Sequence, residues 1–195
     1  MNYPNGKKSS GSSNIQPKLQ HGYGKRGMTL EEDINITNTY YLEINKAVIH
    51  KKPTPVQIVK VNYPKRSAAV ITEAYFKQAS TTDYNGIYRN KYIDFEAKET
   101  RNKTAFPLAN IHSHQISHME AVVEHGGICF MILRFTVRDE TFLLPATKLL
   151  RYWQAHLNDG KKSIPYAAIV QDGYPIPFDF KARVNYLEIV EQLYF

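Results

Sequence analysis

Aromatic and β-branched residues run on both sides of a polar pair, Arg89-Asn90, near the middle of the chain. That pattern predicts a β-hairpin over residues 81–98 with a two-residue turn. In that register Tyr88 faces Lys91, Ile87 faces Tyr92, Asp83 faces Glu96 and Thr81 faces Lys98. Asn85-Gly86 offers a second place for a turn or a bulge, and either would slip the pairing. Before the hairpin, Thr29-Leu30-Glu31-Glu32 has the form of a capping box, and Leu30, Ile34, Tyr41 and Ile44 follow at helical spacing. They predict a helix over 29–45, then a short buried strand at 47–49. Pro53, Pro55 and Pro64 forbid a continuous helix over 51–77. Val56, Ile58 and Val61 suggest extended chain there. Residues 68–76 fit helix or strand and lean towards strand, which would turn one of Tyr75 and Phe76 inward.

After the hairpin, residues 99–104 are polar and read as a loop. Pro107 precedes a helix over 110–125 closed by Gly126-Gly127. The apolar runs 128–136 and 141–144 read as consecutive strands joined by a polar turn. A helix over 146–157 turns Leu149, Leu150 and Trp153 inward, Trp153 as core rather than as a platform for a base. A last helix over 184–193 buries Leu187, Val190 and Leu193. Strands and helices interleave in this way in α/β domains.

Composition adds a division. Residues 1–27 are rich in Ser, Gly, Asn and Lys and nearly free of large aliphatics. Such a segment cannot bury enough apolar surface to offset its ordering entropy, so it reads as a disordered basic tail, and 28–195 as one domain. Of the net charge of +7, the tail carries +5 with no acid and residues 51–77 carry another +5, leaving the rest acidic. Basic charge gathered in this way suits a polyanion surface. A single cysteine, Cys129, excludes an intrachain disulfide, and neither a secretory signal nor an apolar run of membrane-spanning length is visible. A cytoplasmic protein without a membrane partner is expected. No Gly-rich phosphate loop, Ser/His/Asp arrangement or internal repeat is present to suggest an NTPase, an α/β-hydrolase or a solenoid.

The hairpin carries the candidate chemistry. Side chains alternate faces along a strand, so 81, 83, 96 and 98 share one face, with opposed Cβ atoms roughly 5 Å apart. Two carboxylates at that distance repel unless a proton or cation lies between them. Mg²⁺ favours such oxygen ligands, and Lys98 beside them suits a phosphoryl-transfer transition state. On a solvated sheet face the same trio would form only a weak ion pair. Glu31 and Glu32 are the first-helix acids within reach of a metal site, but capping and exposure account for both. His114 and His118 stand four apart on one helical face, a spacing zinc accepts. No acid or thiol completes that set, so the four histidines of this helix are expected to face DNA or solvent.

Asp83 followed by Glu96-Ala97-Lys98 resembles the nuclease signature of an Asp and a Glu-x-Lys. Three stretches, "RGMTLEEDI", "AVIHKKPTPVQIVKVNYPKRSAAVITEAYF" and "STTDYNGIYRNKYIDFEAKETRNKTAFPL", are similar to the RecU-type Holliday junction resolvases of bacteria. The likeness is dense over about 26–135 and looser elsewhere. Thr82 stands where the broader nuclease superfamily often has proline. The resemblance implies a restriction-endonuclease-like α/β fold, a mixed sheet flanked by helices, with residues 51–77 as a projecting stalk that enters a four-way junction. It implies a Mg²⁺-dependent homodimeric endonuclease that makes paired, symmetric nicks, with Mn²⁺ as a substitute. Asp83, Glu96 and Lys98 would be catalytic, and Thr81, Asp83, Glu96 and Gln115 would hold the metal. Lys51, Lys60, Lys65, Arg66, Tyr75, Phe76, Arg101 and Lys103 would contact DNA. The family is also associated with restraint of the RecA recombinase and with the branch-migration machinery, which makes a non-catalytic annealing modulator one alternative. A duplex-specific endonuclease on the same fold is the other.

Overall fold

The computed structural model describes residues 28–77, 81–158 and 160–195. The predicted tail, residues 1–27, lies outside the described residues.

Helix α1 (Leu30–Glu43) begins as the sequence predicts. Thr29 caps it, its hydroxyl accepting from the Glu32 amide while Glu32 accepts from the Thr29 amide. Strand β1 (Val48–Lys51) follows, but as the edge of the sheet rather than as a buried strand. Within it only Ile49 is buried. Next comes an isolated antiparallel ribbon, β2 (Val56–Asn62) with β3 (Val70–Phe76). The chain then returns to the sheet through β4 (Tyr84–Tyr88) and β5 (Lys91–Thr100).

The hairpin turn falls at Arg89-Asn90, both at positive φ (47° and 62°), the backbone a two-residue turn requires. The register is the predicted one, from Tyr88 opposite Lys91 to Tyr84 opposite Phe95. Asn85-Gly86 makes neither turn nor bulge. Gly86 pairs with Ile93 on one side and Ile49 on the other, and a Cβ on it would meet the Val48 carbonyl at 2.1 Å. Glycine is there so that β1 can lie close against β4.

The remaining elements complete two helical layers. They are β6 (Ala105–Pro107), α2 (Ser113–Glu124), β7 (Ile128–Phe135), β8 (Glu140–Pro145), α3 (Ala146–Leu157), β9 (Ser163–Pro165), α4 (Tyr166–Asp172), β10 (Tyr174–Pro175) and α5 (Tyr186–Tyr194). The central sheet runs β1-β4-β5-β7-β8-β10, with only β5 and β7 parallel, and β6 pairs separately with β9. This is the mixed α/β sheet flanked by helices that the sequence implies. No helix among the described residues is long and apolar enough to cross a membrane.

Each face of the sheet has its own core. Tyr84, Phe130 and Tyr186 pack around Phe95 on the side of α1 and α5, with ring centroids 4.8–4.9 Å from its own. Cys129, Met131, Leu133 and Phe135 of β7 pack on the other side with residues of α2, α3 and α4. Buried on both faces, β7 is a continuous apolar run. Strand β5 differs. Its alternate residues Ile93 and Phe95 enter the first core, whereas Asp94, Glu96 and Lys98 face the α2 side, where β7 presents apolar side chains.

Candidate active site at the β5 carboxylates

Two buried carboxylates lie on that polar face. Glu96 is completely buried. Its Oε2 accepts the Asp83 amide at 3.1 Å, which brings the residue just before β4 onto the carboxylate as the hairpin register requires. Oε1 is buried without a hydrogen bond, and Lys98 Nζ stands 2.7 Å from it as an ion pair off the hydrogen-bonding line. Burial, and then the neighbouring Asp83 charge, push the Glu96 carboxyl up to about 7 against the partial relief given by Lys98. A buried carboxylate with one amide and one ammonium for its two oxygens, beside a second carboxylate, is suited to a cation. Among the described residues no group of three His, Cys, Asp or Glu side chains converges. A cation here would therefore take two carboxylates and complete its shell with neutral oxygens and water, the habit of Mg²⁺.

The predicted neutral ligands are arranged less simply. The β4–β5 ladder ends at Tyr84 opposite Phe95, so Thr81 and Lys98 do not form a ladder pair. There the Asp83 carbonyl accepts the Lys52 amide at 2.7 Å, one step beyond the Lys51–Tyr84 pair of β1 and β4. Thr81 is half-buried in this approach. Gln115 is buried in the first turn of α2, and its Oε1 accepts the His112 amide at 3.1 Å. One lone pair of that oxygen remains for another partner.

The second carboxylate, Asp94, escaped the sequence reading. It too is completely buried, yet it is saturated with donors. Thr82 Oγ1 donates to Oδ1, while Lys52 Nζ (2.8 Å), Tyr92 Oη (2.8 Å) and His118 Nε2 (3.2 Å) meet Oδ2. Lys52 Nζ also donates to Thr82 Oγ1 at 3.0 Å. Burial drives the Asp94 carboxyl upward, but these four donors outweigh it and hold the group below its ordinary range. His118 was expected to face DNA or solvent; it turns inward because Asp94 is its partner. The only advance signal was the two-residue step from Asp94 to Glu96, which on a strand puts both on one face.

Glu31 and Glu32 have partners of their own. Glu31 pairs with Lys51 at 2.5 Å and Glu32 caps α1. Glu99 and Thr100, read as loop, are the end of β5, and Glu99 accepts the Leu30 amide at 2.9 Å. The loop proper is 101–104, where Arg101 and Lys103 are exposed.

The ribbon holds most of the remaining DNA-contact candidates. Every residue of β2 and β3 is exposed. Lys60 and Lys65 are among the ribbon's exposed cations, and Lys60 pairs in register with Glu73. The Arg66 side chain lies outside what is described. Tyr75 and Phe76 are 61% and 84% exposed, so the expected inward member is absent: a two-stranded ribbon standing off the sheet has no core beneath either face. Tyr75 Oη donates to Glu73 at 2.8 Å.

Against known proteins the chain matches the family model for recombination protein U, RecU, over residues 25–192. It is 63% identical over 196 residues to the Holliday junction resolvase RecU of Oceanobacillus iheyensis, covering all of both chains. The RecU of Geobacillus kaustophilus is 60% identical over 100% of this chain and 98% of its own, and that of Staphylococcus carnosus 55% over 99% and 96%. A solved archaeal resolvase, Hjc of Archaeoglobus fulgidus, superposes with a TM-score of only 0.40 at 10% identity, over 73% of this chain and 94% of that one, too distant to bear on the fold. With a match that runs from before the first helix nearly to the end of the last, and full-length identities above half, the chain belongs to the RecU family.

Proposed function

We propose that the protein resolves Holliday junctions, cutting four-way DNA with a divalent cation held at Asp83 and Glu96. The observation that carries this reading is the Glu96 carboxylate: buried, short of donors and raised to about 7 by burial and by Asp83. Thr81 and Gln115 would add neutral oxygens. Bound there, Mg²⁺, or Mn²⁺ in its place, supplies charge neutralisation and a water activated for attack on phosphate. The chain's own residues do the rest. The Asp83 amide holds Glu96 Oε2 in one orientation. Lys98, 2.7 Å from Oε1, would set its ammonium beside a transition state that gathers negative charge. The exposed ribbon presents Lys60, Lys65 and Phe76 to branched DNA, the cations to phosphates and the ring to an unstacked base step. Lys51, Arg101 and Lys103 would add backbone contacts. A homodimer would bring two such sites to the two-fold symmetry of a junction and nick opposed strands of like polarity. Its setting would be the bacterial cytoplasm, with RecA and branch-migration proteins as neighbours.

The test is cleavage of an immobile four-way junction in Mg²⁺, beside linear duplex of the same sequence. Paired symmetric nicks in the junction alone are the expected result. Equal cutting of duplex would make the protein a general endonuclease. Salt-sensitive junction binding without nicks, in Mg²⁺ and in Mn²⁺, would leave a binding modulator.

A further inference from the structure

The Asp94 cluster has no part in the chemistry proposed above, yet it touches every segment that must be in place for it. Lys52 reaches the site twice. Its backbone amide donates to the Asp83 carbonyl at 2.7 Å, and its side chain donates to Asp94 and Thr82. It also stands between β1 and Pro53, at the root of the ribbon. Thr82 lies between Thr81 and Asp83 in the chain and donates its hydroxyl to Asp94. His118 stands three residues after Gln115 on α2, hence on the same helical face, and meets Asp94 through Nε2. Tyr92, the fourth donor, is held on its far side by Asn85 Nδ2 at 3.2 Å, which ties in β4 as well.

The approach to Asp83 needs such support. Beyond Tyr84 the β4–β5 ladder has ended, so residues 81–83 are not placed by strand pairing with β5. What places them is the Lys52 amide, the Thr82 hydroxyl and the Asp83 amide on Glu96. One of these three, the Thr82 hydroxyl, is bound to Asp94 itself, and Lys52, which gives the amide, is bound to Asp94 through its ammonium. A buried carboxylate that accepts four side-chain donors from four segments is a rigid junction, since losing any one donor leaves a charge under-solvated out of reach of water.

We infer that Asp94 is a positioning residue of the cation site: through Lys52, Thr82 and His118 it holds the Thr81–Asp83 approach and α2 in register with Glu96. The inference rests on the cation reading for its functional meaning but makes a separate prediction about the metal-free chain. In Asp94→Asn the amide group puts two N–H bonds where four donors converge, so the cluster cannot re-form.

The experiment is hydrogen exchange on full-length, metal-free parent and Asp94→Asn protein, with a Mg²⁺ titration followed by thermal shift on both. Exchange over residues 81–84 and at Lys52 is expected to quicken by roughly tenfold or more while the β7 amides keep parental rates. Half-saturating Mg²⁺ is expected to rise by roughly 10- to 100-fold, the range for outer-shell partners of metal ligands. Unchanged exchange over 81–84, or an equal acceleration in β7, would overturn the inference. Should Asp94→Asn fail to fold, Thr82→Val, which keeps the volume and removes one donor, is judged by the same two outcomes. If the parent itself shows no thermal response to Mg²⁺ and no junction cleavage, the cation reading falls. The exchange comparison still decides whether Asp94 places the 81–83 segment.

Discussion

Asp94 and Glu96 stand two residues apart on one face of β5, and both carboxylates are wholly buried. Four side-chain donors meet the first, whereas the second has one backbone amide and a lysine. Their acidities separate accordingly. Donors hold Asp94 below the ordinary range although burial opposes them, while burial and a like charge raise Glu96 to about 7. The same strand thus holds a finished carboxylate and an unfinished one. A satisfied group is inert and good for holding segments together. An unsatisfied one costs stability and is available to a ligand, and such groups mark functional sites more often than structural ones.

Glu96→Ala strikes the unfinished member. It is expected to reduce junction cleavage to background while leaving junction affinity in the absence of Mg²⁺ near parental, read by cleavage and mobility-shift assays side by side. Loss of binding equal to the loss of cutting would make Glu96 another structural carboxylate and erase the contrast. Lys98→Met comes next. It should slow cleavage by roughly 10²–10³-fold. Because Lys98 lowers the Glu96 carboxyl, its removal should also move the rising limb of the pH–rate profile to higher pH.

Asp94→Asn attacks the finished member and should appear first in stability. Lys52 would then face an amide in place of a carboxylate, at a cost of about 3 kcal/mol in chemical denaturation at pH 7. Acid dependence sharpens the comparison because the two signs are opposite. Asp94 titrates lower folded than unfolded, so its stabilisation is present above the ordinary 3.8 and is lost as pH falls below it. Glu96 titrates higher folded, at about 7 against 4.5, so the folded state keeps a proton that the unfolded chain has released. Its contribution to the stability of the metal-free protein therefore declines as pH rises from 4.5 to about 7 and then levels off. Melting in EDTA across that window should show the decline in the parent and not in Glu96→Gln. The smallest effect on the fold belongs to the ribbon. Phe76→Ser should change unfolding free energy by no more than about 0.5 kcal/mol, since the ring is 84% exposed, while weakening junction cleavage.

Much of this was legible in the chain, wherever neighbours in sequence are also neighbours in space. The capping box at Thr29 and Glu32, the turn at Arg89-Asn90, the Asp83 amide on Glu96 just beyond the hairpin ladder and the helix over 146–157 all rest on contacts within a few residues or follow from one hairpin register. The errors share a different cause. Ala47 to Ile49 read as a buried strand because the residues are apolar, but the strand lies at the sheet edge, and edge position is a property of the whole sheet. Tyr75 and Phe76 were split between inside and outside on the assumption of a core that the ribbon lacks.

The sequence alone determined the α/β class, the hairpin, its register and therefore the Asp83–Glu96 encounter, because a tight turn with period-two alternation leaves little freedom. Only the tertiary structure decided what Asp94 does. Its donors come from the end of β1, the approach to β4, β5 itself and α2, scattered along the chain from Lys52 to His118. No local pattern brings those four together. The parallel alignment of β5 with β7 and the α2 crossover between them do, and they carry His118 back over the strand that holds the carboxylates.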